Sequence, residues 1–143
     1  MTIRCDVLLF ADAANFSEDG KLNLLGEFNL IKTTGPEALA KGRLVARIVG
    51  NTHDLGAHEL ILRIRSADGD LLSEIPPLIL GLGASRVEAV PPRTWFIADM
   101  PPVRLPAPGT YTFELHLDGL RQELVGDIHV ARIGAPAASG APH

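Results

Sequence analysis

The clearest structural signal in the sequence is TYTFELHLD, residues 110–118, in which apolar and polar side chains alternate. Alternation with a period of two is typical of a half-buried β-strand, because successive side chains point to opposite faces of a sheet. The apolar face of this segment consists of Tyr111, Phe113, Leu115 and Leu117. We therefore expect this strand to cover a hydrophobic core.

A returning strand after Gly119 predicts a β-hairpin, for which two registers are open. A turn centred on Gly119-Leu120 places opposite charges across the hairpin. A turn centred on Asp118-Gly119 would instead oppose Glu114 and Glu123. Because like charges directly opposite each other destabilise a strand pair, we expect the turn centred on Gly119-Leu120.

The same period recurs along most of the chain, with turn-forming residues about every 8 to 12 residues. This spacing predicts roughly eight strands and an all-β fold, a two-sheet antiparallel β-sandwich of the Ig-like or C2-like kind. The first strand, Ile3 to Ala13, is apolar on both faces from Val7 onward, which favours a central position. Proline cannot donate to a ladder, so we expect sheet edges or crossings at the proline pairs 76–77, 91–92 and 101–102.

Composition limits the class of protein. The chain has 143 residues, 46% of them hydrophobic and 21% charged, which predicts one globular domain at 1–133 and excludes a disordered chain. The sequence after residue 133 has nothing to bury, so 134–143 is predicted to be a flexible tail. A net charge of −4 argues against nucleic acid and a membrane surface as partners. The single cysteine, Cys5, favours a reducing compartment, and we expect a cytoplasmic protein.

The second predicted strand, Lys21 to Lys32, is joined to the first by a loop that contains Gly20. Its Gly26 indicates a bulge or the close approach of another side chain. The carboxylate of Asp12, at the end of the first strand, is expected to hold this hairpin closed through backbone hydrogen bonds near Asn15. We therefore predict a structural role for Asp12, Asn15, Gly20 and Gly26.

No catalytic, cofactor-binding or metal-binding residues are predicted. Known nucleophile and phosphate motifs are absent, and Cys5 begins a strand that should be buried. His53, Asp54 and His58 lie close in sequence, but no helix aligns their side chains as metal ligands.

Two surfaces are candidates for contact with another protein. If the strands of residues 42–50 and 57–67 are neighbours, as their short connection indicates, they form a positive patch of Arg43, Arg47, Arg63 and Arg65, unless Glu59 and Glu74 neutralise it. The run of residues 77–83 has no charge, and prolines precede it. It is either a buried strand or an edge for self-association through Leu78, Ile79, Leu80 and Leu82.

Several blocks together resemble an uncharacterised family of small bacterial β-sandwich proteins, a domain of unknown function. The blocks are LFADAAN at 9–15, DGKLNLLG at 19–26, ADG at 67–69, LPAPGTY at 105–111 and DG at 118–119, with Asn51 and His58 ahead of a strand. The resemblance covers most of the chain and implies a sandwich fold. It implies no catalytic residues.

These observations favour a non-enzymatic binding or assembly module, with a protein partner or a second copy as its target and without a cofactor. The alternative is a hydrolase or small-ligand-binding protein with a site at loop ends near Asp12, Asn15 and His58. A flat surface with an apolar edge favours the module, whereas a deep pocket with converging polar groups favours the alternative.

Overall fold

A computed structural model describes residues 3–134 of the chain. Within that range the protein forms nine β-strands and one short 3₁₀ turn at Thr52–Asp54, and no helix there is long and apolar enough to cross a membrane. The strands are β1 Arg4–Phe16, β2 Leu22–Phe28, β3 Leu30–Thr33, β4 Ala38–Val49, β5 Gly56–Arg65, β6 Leu71–Leu82, β7 Arg93–Leu105, β8 Gly109–Leu117 and β9 Leu120–Arg132.

The strands build two sheets that pack face to face. Sheet A has the order β2-β1-β4-β7 and is antiparallel. Sheet B has the order β3-β9-β8-β5-β6 and is antiparallel except for the parallel pair of β3 and β9. The all-β, two-sheet sandwich predicted from the period-two pattern is confirmed.

The core lies between the sheets and is formed by alternate side chains from both. Phe10 of sheet A contacts Phe113 of sheet B edge to face, with 4.7 Å between ring centroids. Both rings are buried, and the predicted face of the 110–118 strand is buried throughout, at Tyr111, Phe113, Leu115 and Leu117. This face was correctly identified from the alternation alone.

The ninth strand arises because the predicted strand from Lys21 to Lys32 is divided at Asn29. β2 pairs with β1 in sheet A, whereas β3 pairs with β9 in sheet B. The carbonyl of Asn29 accepts a hydrogen bond from the amide of His129 at 2.8 Å, which fixes the point where the chain crosses between sheets. The alternation of apolar and polar side chains does not reveal where a chain crosses from one sheet to the other, because the same alternation continues on both sides of the crossing.

The predicted register of the β8–β9 hairpin is wrong. Leu117 pairs with Leu120, so the turn is Asp118-Gly119, with φ of 52° and 81° at these residues. These positive values are typical of a type I′ turn, which matches the twist of a hairpin. A bulge then pairs Glu114 with Val125, so the like charges at Glu114 and Glu123 never lie opposite each other.

The predicted arginine patch is also wrong, because β4 and β5 lie in different sheets. β4 pairs with β1 and β7, and β5 pairs with β6 and β8. Moreover, each arginine has an acidic partner: Arg43 with Asp99, Arg47 with Asp6, Arg63 with Glu74 and Arg65 with Glu114. Of Glu59 and Glu74, the two residues expected to neutralise the patch, Glu74 forms an ion pair with one of its arginines.

The edge prediction for the proline pairs is confirmed for two of them. Pro76-Pro77 lies in β6, and Pro101-Pro102 lies in β7. Each of these strands is at the edge of its sheet.

Candidate functional site

The outer face of sheet A, which points away from the core, is apolar across three strands. Its central row consists of Leu9 on β1, Val45 on β4 and Ile97 on β7, which the strand registers place side by side. Val45 is fully buried but lies outside the main core, on the opposite face of β4 from Leu44 and Ala46. This arrangement explains why β1 and β4 are apolar on both faces.

The neighbouring row holds the one tryptophan of the chain. Val7, Arg47 and Trp95 are register partners, and the guanidinium of Arg47 lies 5.3 Å from the centroid of the Trp95 ring. Arg47 also donates two hydrogen bonds, at 2.8 and 2.9 Å, to the carboxylate of Asp6. These bonds, opposed only in part by burial, hold the pKa of Asp6 below its usual range. A planar aromatic and a fixed planar cation therefore lie together on this face.

The outer face of sheet B differs in chemistry. Its register rows bring Arg63 beside Glu114 and Ile61 beside His116. Glu114 accepts a hydrogen bond from Arg65 at 2.9 Å, and Arg121 and His116 approach it at 3.6 and 3.5 Å. Burial raises the pKa of Glu114, but His116 and the two arginines outweigh it, so the pKa lies below its usual value. The centre of this face is charged and internally paired, and Ile61 and Ile79 lie beside it.

His58 at the start of β5 is bonded on both sides of its ring. Nδ1 lies 2.6 Å from Oδ2 of Asp118, and Nε2 contacts the carbonyl oxygen of Asp54. Both partners are acceptors, so the imidazolium, with a proton on each ring nitrogen, is the form of His58 that satisfies both. The hydrogen bond to Asp118, then that to Asp54, raises the pKa of His58.

Asp118 is held from a second direction as well. Its Oδ1 accepts the amide of Glu59 at 2.9 Å. Burial raises the pKa of Asp118, but the bonds from His58 and Glu59 exceed that effect and leave the pKa below its usual value. The pair therefore ties the β8–β9 turn to β5, and His58 has no free nitrogen for general-base catalysis.

A cavity of about 780 Å³ opens between the beginnings of β1 and β9. Its lining is partly apolar, with Arg4 and Arg121 as its basic groups. Cys5 lies in its wall, but burial raises the pKa of the thiol to about 11, with a smaller contribution from Asp6. The thiol is thus protonated at neutral pH and a poor nucleophile. Among residues 3–134, His, Cys, Asp and Glu form no group of three that could hold a metal ion.

A sequence profile for a family of unknown function, DUF6941, matches residues 6–130, which include both sheets and the outer face of sheet A. The chain belongs to DUF6941. The resemblance inferred from the sequence blocks, to an uncharacterised domain family, is therefore confirmed.

No curated protein matches this DUF6941 chain. Among solved structures, a crystal structure of Bacteroides uniformis β-glucuronidase is similar over 66% of the DUF6941 chain, with 17% sequence identity and a TM-score of 0.41. The similar part is 13% of the length of that protein. A likeness at this level carries no argument about the activity of DUF6941.

The predicted hairpin residues of DUF6941 lie on or between β1 and β2. Gly26 lies opposite Asp12, has a φ of 70°, and leaves no space for a Cβ beside the Asp12 carboxylate. The close approach predicted at Gly26 is therefore confirmed. The side chain of Asn15 accepts a hydrogen bond from Asn23 at 3.1 Å, and Gly20 has a φ of 84° in the loop. The structural role of Asp12 stays a prediction.

The loop-end site proposed as the alternative is not assembled in this chain. Arg4 pairs with Val49, close to the turn that leads to His58. Asp12 and Asn15 lie further along β1, at the other end of the sheet. A strand rises about 3.3 Å per residue, so Asn15 lies roughly 35 Å from this end.

The predicted oligomer edge of DUF6941 does lie on an edge strand, β6. However, Leu80 and Leu82 point into the protein and are buried, Leu78 is half-buried, and Ile79 is 65% exposed. Only part of this run is available for contact. The predicted tail beyond residue 134 lies outside the described residues.

Sequence reasoning missed the outer face of sheet A. The apolar residues on both faces of the first strand were the available signal. That pattern was attributed to a central strand. A single sequence does not show whether another layer of the protein packs on the second face of such a strand. In the described part of the chain, the strands form two layers, of which sheet A is one.

Proposed function

We propose that this protein is a non-enzymatic binding module whose contact surface is the outer face of sheet A and whose partner is another protein with an apolar surface. The observation that carries the proposal is the contrast between the two outer faces. One has partly accessible apolar side chains around Trp95 and Arg47, while the centre of the other is occupied by the paired charges around Glu114.

The composition of the outer face of sheet A supports a protein partner. Tryptophan and arginine are the residues most often found at energetic hot spots of protein interfaces. Here the Asp6 carboxylate fixes Arg47 before a partner arrives, so little side-chain entropy would be lost on binding. The strand registers place Leu9, Val45 and Ile97 in one row across β1, β4 and β7. A row that spans three strands offers a broad surface, which suits a protein partner.

The states of the reactive side chains support a non-catalytic role. Cys5 is protonated at neutral pH because burial raises its pKa to about 11. Both nitrogens of His58 are engaged as donors. Neither residue is available to act as a nucleophile or a base without breaking a structural contact.

The test compares Ile97→Asp with Ile61→Asp. Ile97 is on the outer face of sheet A, Ile61 is on that of sheet B, and both are partly exposed. A protein captured by the wild-type chain should be lost with Ile97→Asp and retained with Ile61→Asp. Because Trp95 is the only tryptophan, titration of the purified partner, chosen or engineered without tryptophan, should shift Trp95 fluorescence to the blue.

Two results would contradict the proposal: equal affinity of the wild type and Ile97→Asp for the purified partner, or binding that leaves the Trp95 emission unchanged. Unfolding midpoints of both variants should be measured first, so that loss of binding is not mistaken for loss of folding.

The cavity between β1 and β9 favours a second candidate function, binding of a small amphipathic carboxylate. Its volume is in the range of ligand pockets, and its charged lining residues are Arg4, Arg121 and Glu123, a net positive charge near apolar Ile3 and Leu124. Calorimetric titration with octanoate should give saturable heat that Arg121→Glu removes. Absence of heat with the wild type at millimolar octanoate would exclude this ligand class.

A further inference from the structure

The edges of the two sheets differ in how they are protected. An edge strand presents unpaired backbone N–H and C=O groups, and proteins commonly block them with prolines or keep the strand short. The β6 and β7 edges each contain a proline pair, and β3 has four residues. The fourth edge, β2, has seven residues, LNLLGEF, and contains no proline.

β2 also exposes large apolar side chains at this edge. Leu25 is 71% exposed and Leu24 is 40% exposed. Phe16, at the tip of the β1–β2 hairpin, is 46% exposed. Apolar strands with free backbone groups pair readily with another strand, so exposure of this kind calls for a partner.

The sequence of β2 is complementary to itself in one antiparallel register. Along β2, the backbone N–H and C=O groups of every second residue point toward β1, and those of the residues between them point to the free edge. In a β2–β2 pair, an even-numbered residue can therefore lie opposite only an even-numbered residue, and an odd-numbered residue opposite only an odd-numbered one.

With Leu24 opposite Leu24 of a second copy, Lys21, the residue before β2, lies opposite Glu27 at both ends of the ladder. Its ammonium is 3.3 Å from the Asp19 carboxylate of the same chain, and the dimer would add Glu27 of the second copy to that pair. The next allowed shift in either direction removes the pairing of Lys21 with Glu27, because Lys21 then lies opposite Leu25 or Asn29.

We propose that two copies of the protein join by antiparallel pairing of their β2 edges, with the two-fold axis at Leu24. The pairing extends sheet A into one continuous eight-stranded sheet and places the outer faces of both copies side by side. The surface differs from the contact face proposed above, so a monomeric chain would leave the binding function intact.

The test uses charges placed on the two-fold axis. In Leu24→Lys or Leu24→Glu, identical charges would face each other across the axis, and dimerisation should weaken about tenfold or more. An equimolar mixture of the two variants should form a heterodimer at least as well as the wild type, because the charges are then opposite. Sedimentation velocity over a range of concentrations measures all four samples.

The matched control is Ile79→Lys on the β6 edge, where the replaced side chain is 65% exposed. Its dimerisation should equal that of the wild type. A wild-type chain that is monomeric up to about millimolar concentration overturns the proposal, as does a mixture that fails to recover dimers while each variant remains folded by circular dichroism. Loss of dimers only in Ile79→Lys would assign self-association to β6 instead.

Discussion

At the scale of single residues, His58 shows how a protonation state is fixed by its surroundings. A neutral imidazole has one donor and one acceptor nitrogen, whereas His58 faces a carboxylate of Asp118 and a backbone carbonyl of Asp54. Only the imidazolium satisfies both. The ring therefore joins the loop before β5 to the turn after β8 as long as it stays charged.

Replacing His58 by Gln should lower the free energy of unfolding by about 1–2 kcal/mol near pH 6, since two charge-assisted hydrogen bonds are lost. The folded-state pKa of His58 is raised, so its contribution is complete below about pH 6.5 and disappears as the pH rises through the raised value. The pKa of Asp118 is lowered, so the contribution is also lost as the pH falls through that lowered value.

Urea unfolding of the wild type and His58→Gln between pH 4 and pH 9 measures this dependence. The difference between the two proteins should be largest near pH 5–6 and decrease above pH 7. His53→Gln, an exposed position in the same loop, is the control and should behave as the wild type. A difference that grows toward alkaline pH would show that His58 is neutral in the folded protein.

Sequence reasoning could identify His58 as a residue near a loop but could not find its role. Its partner Asp118 is sixty positions away and belongs to a hairpin turn whose register was wrongly predicted. The left-handed conformation of Asp118 at the turn brings its carboxylate to β5. Such pairs depend on backbone geometry that alternation of side chains does not encode.

At the scale of elements, the connection between β7 and β8 is held by one hydroxyl. The side-chain oxygen of Tyr111 donates to the carbonyl of Ala107 at 2.6 Å and accepts from the amide of the same residue at 3.0 Å. The ring itself is buried in the core. Tyr111 thus fixes the loop LPAPG against the strand that follows it, in the manner of a tyrosine corner.

Tyr111→Phe should lower the free energy of unfolding by about 1–2 kcal/mol, because both hydrogen bonds to Ala107 are lost while the buried ring is kept. Thr112→Val is the matched control. It also removes a hydroxyl, but one whose contact with Asp127 is long, at 3.4 Å, and exposed. Equal stability of Tyr111→Phe and the wild type in urea unfolding would show that the corner contributes nothing.

Strands were easier to predict from this sequence than their pairing. The apolar face of β8 was found correctly because burial on one side imposes strict alternation. The register of β8 with β9 was not, because a bulge after Glu114 separates the like charges on which the prediction depended.

At the scale of the whole molecule, the two sheets share one core but have different outer surfaces. The contact surface proposed here depends on which strands lie together, and that was not predictable from local pattern. β4 and β5 follow each other closely in sequence yet belong to different sheets. As a result, the arginines expected to form one positive patch lie on different sheets, and each is paired with a carboxylate. The apolar surface lies instead on the outer face of sheet A.

The shared core predicts that the two sheets unfold together, as a single domain should. The chain supplies one probe for each sheet: Trp95, its only tryptophan, lies in sheet A, and Tyr111, its only tyrosine, lies in sheet B. Thermal unfolding followed by Trp95 fluorescence in the wild type, and by Tyr111 fluorescence in a Trp95→Phe variant whose midpoint is also measured by far-ultraviolet circular dichroism, should show each probe changing at the midpoint of the whole chain.

Phe10→Leu sharpens this prediction, because Phe10 bridges the sheets through Phe113 and is 2% exposed. The smaller side chain should lower the free energy of unfolding by about 1–2 kcal/mol through the space it leaves unfilled. Both midpoints should then fall by the same amount. A Trp95 transition that precedes the midpoint of the whole chain, with or without Phe10→Leu, would show that sheet A loses its structure independently and that the sandwich is not one cooperative unit.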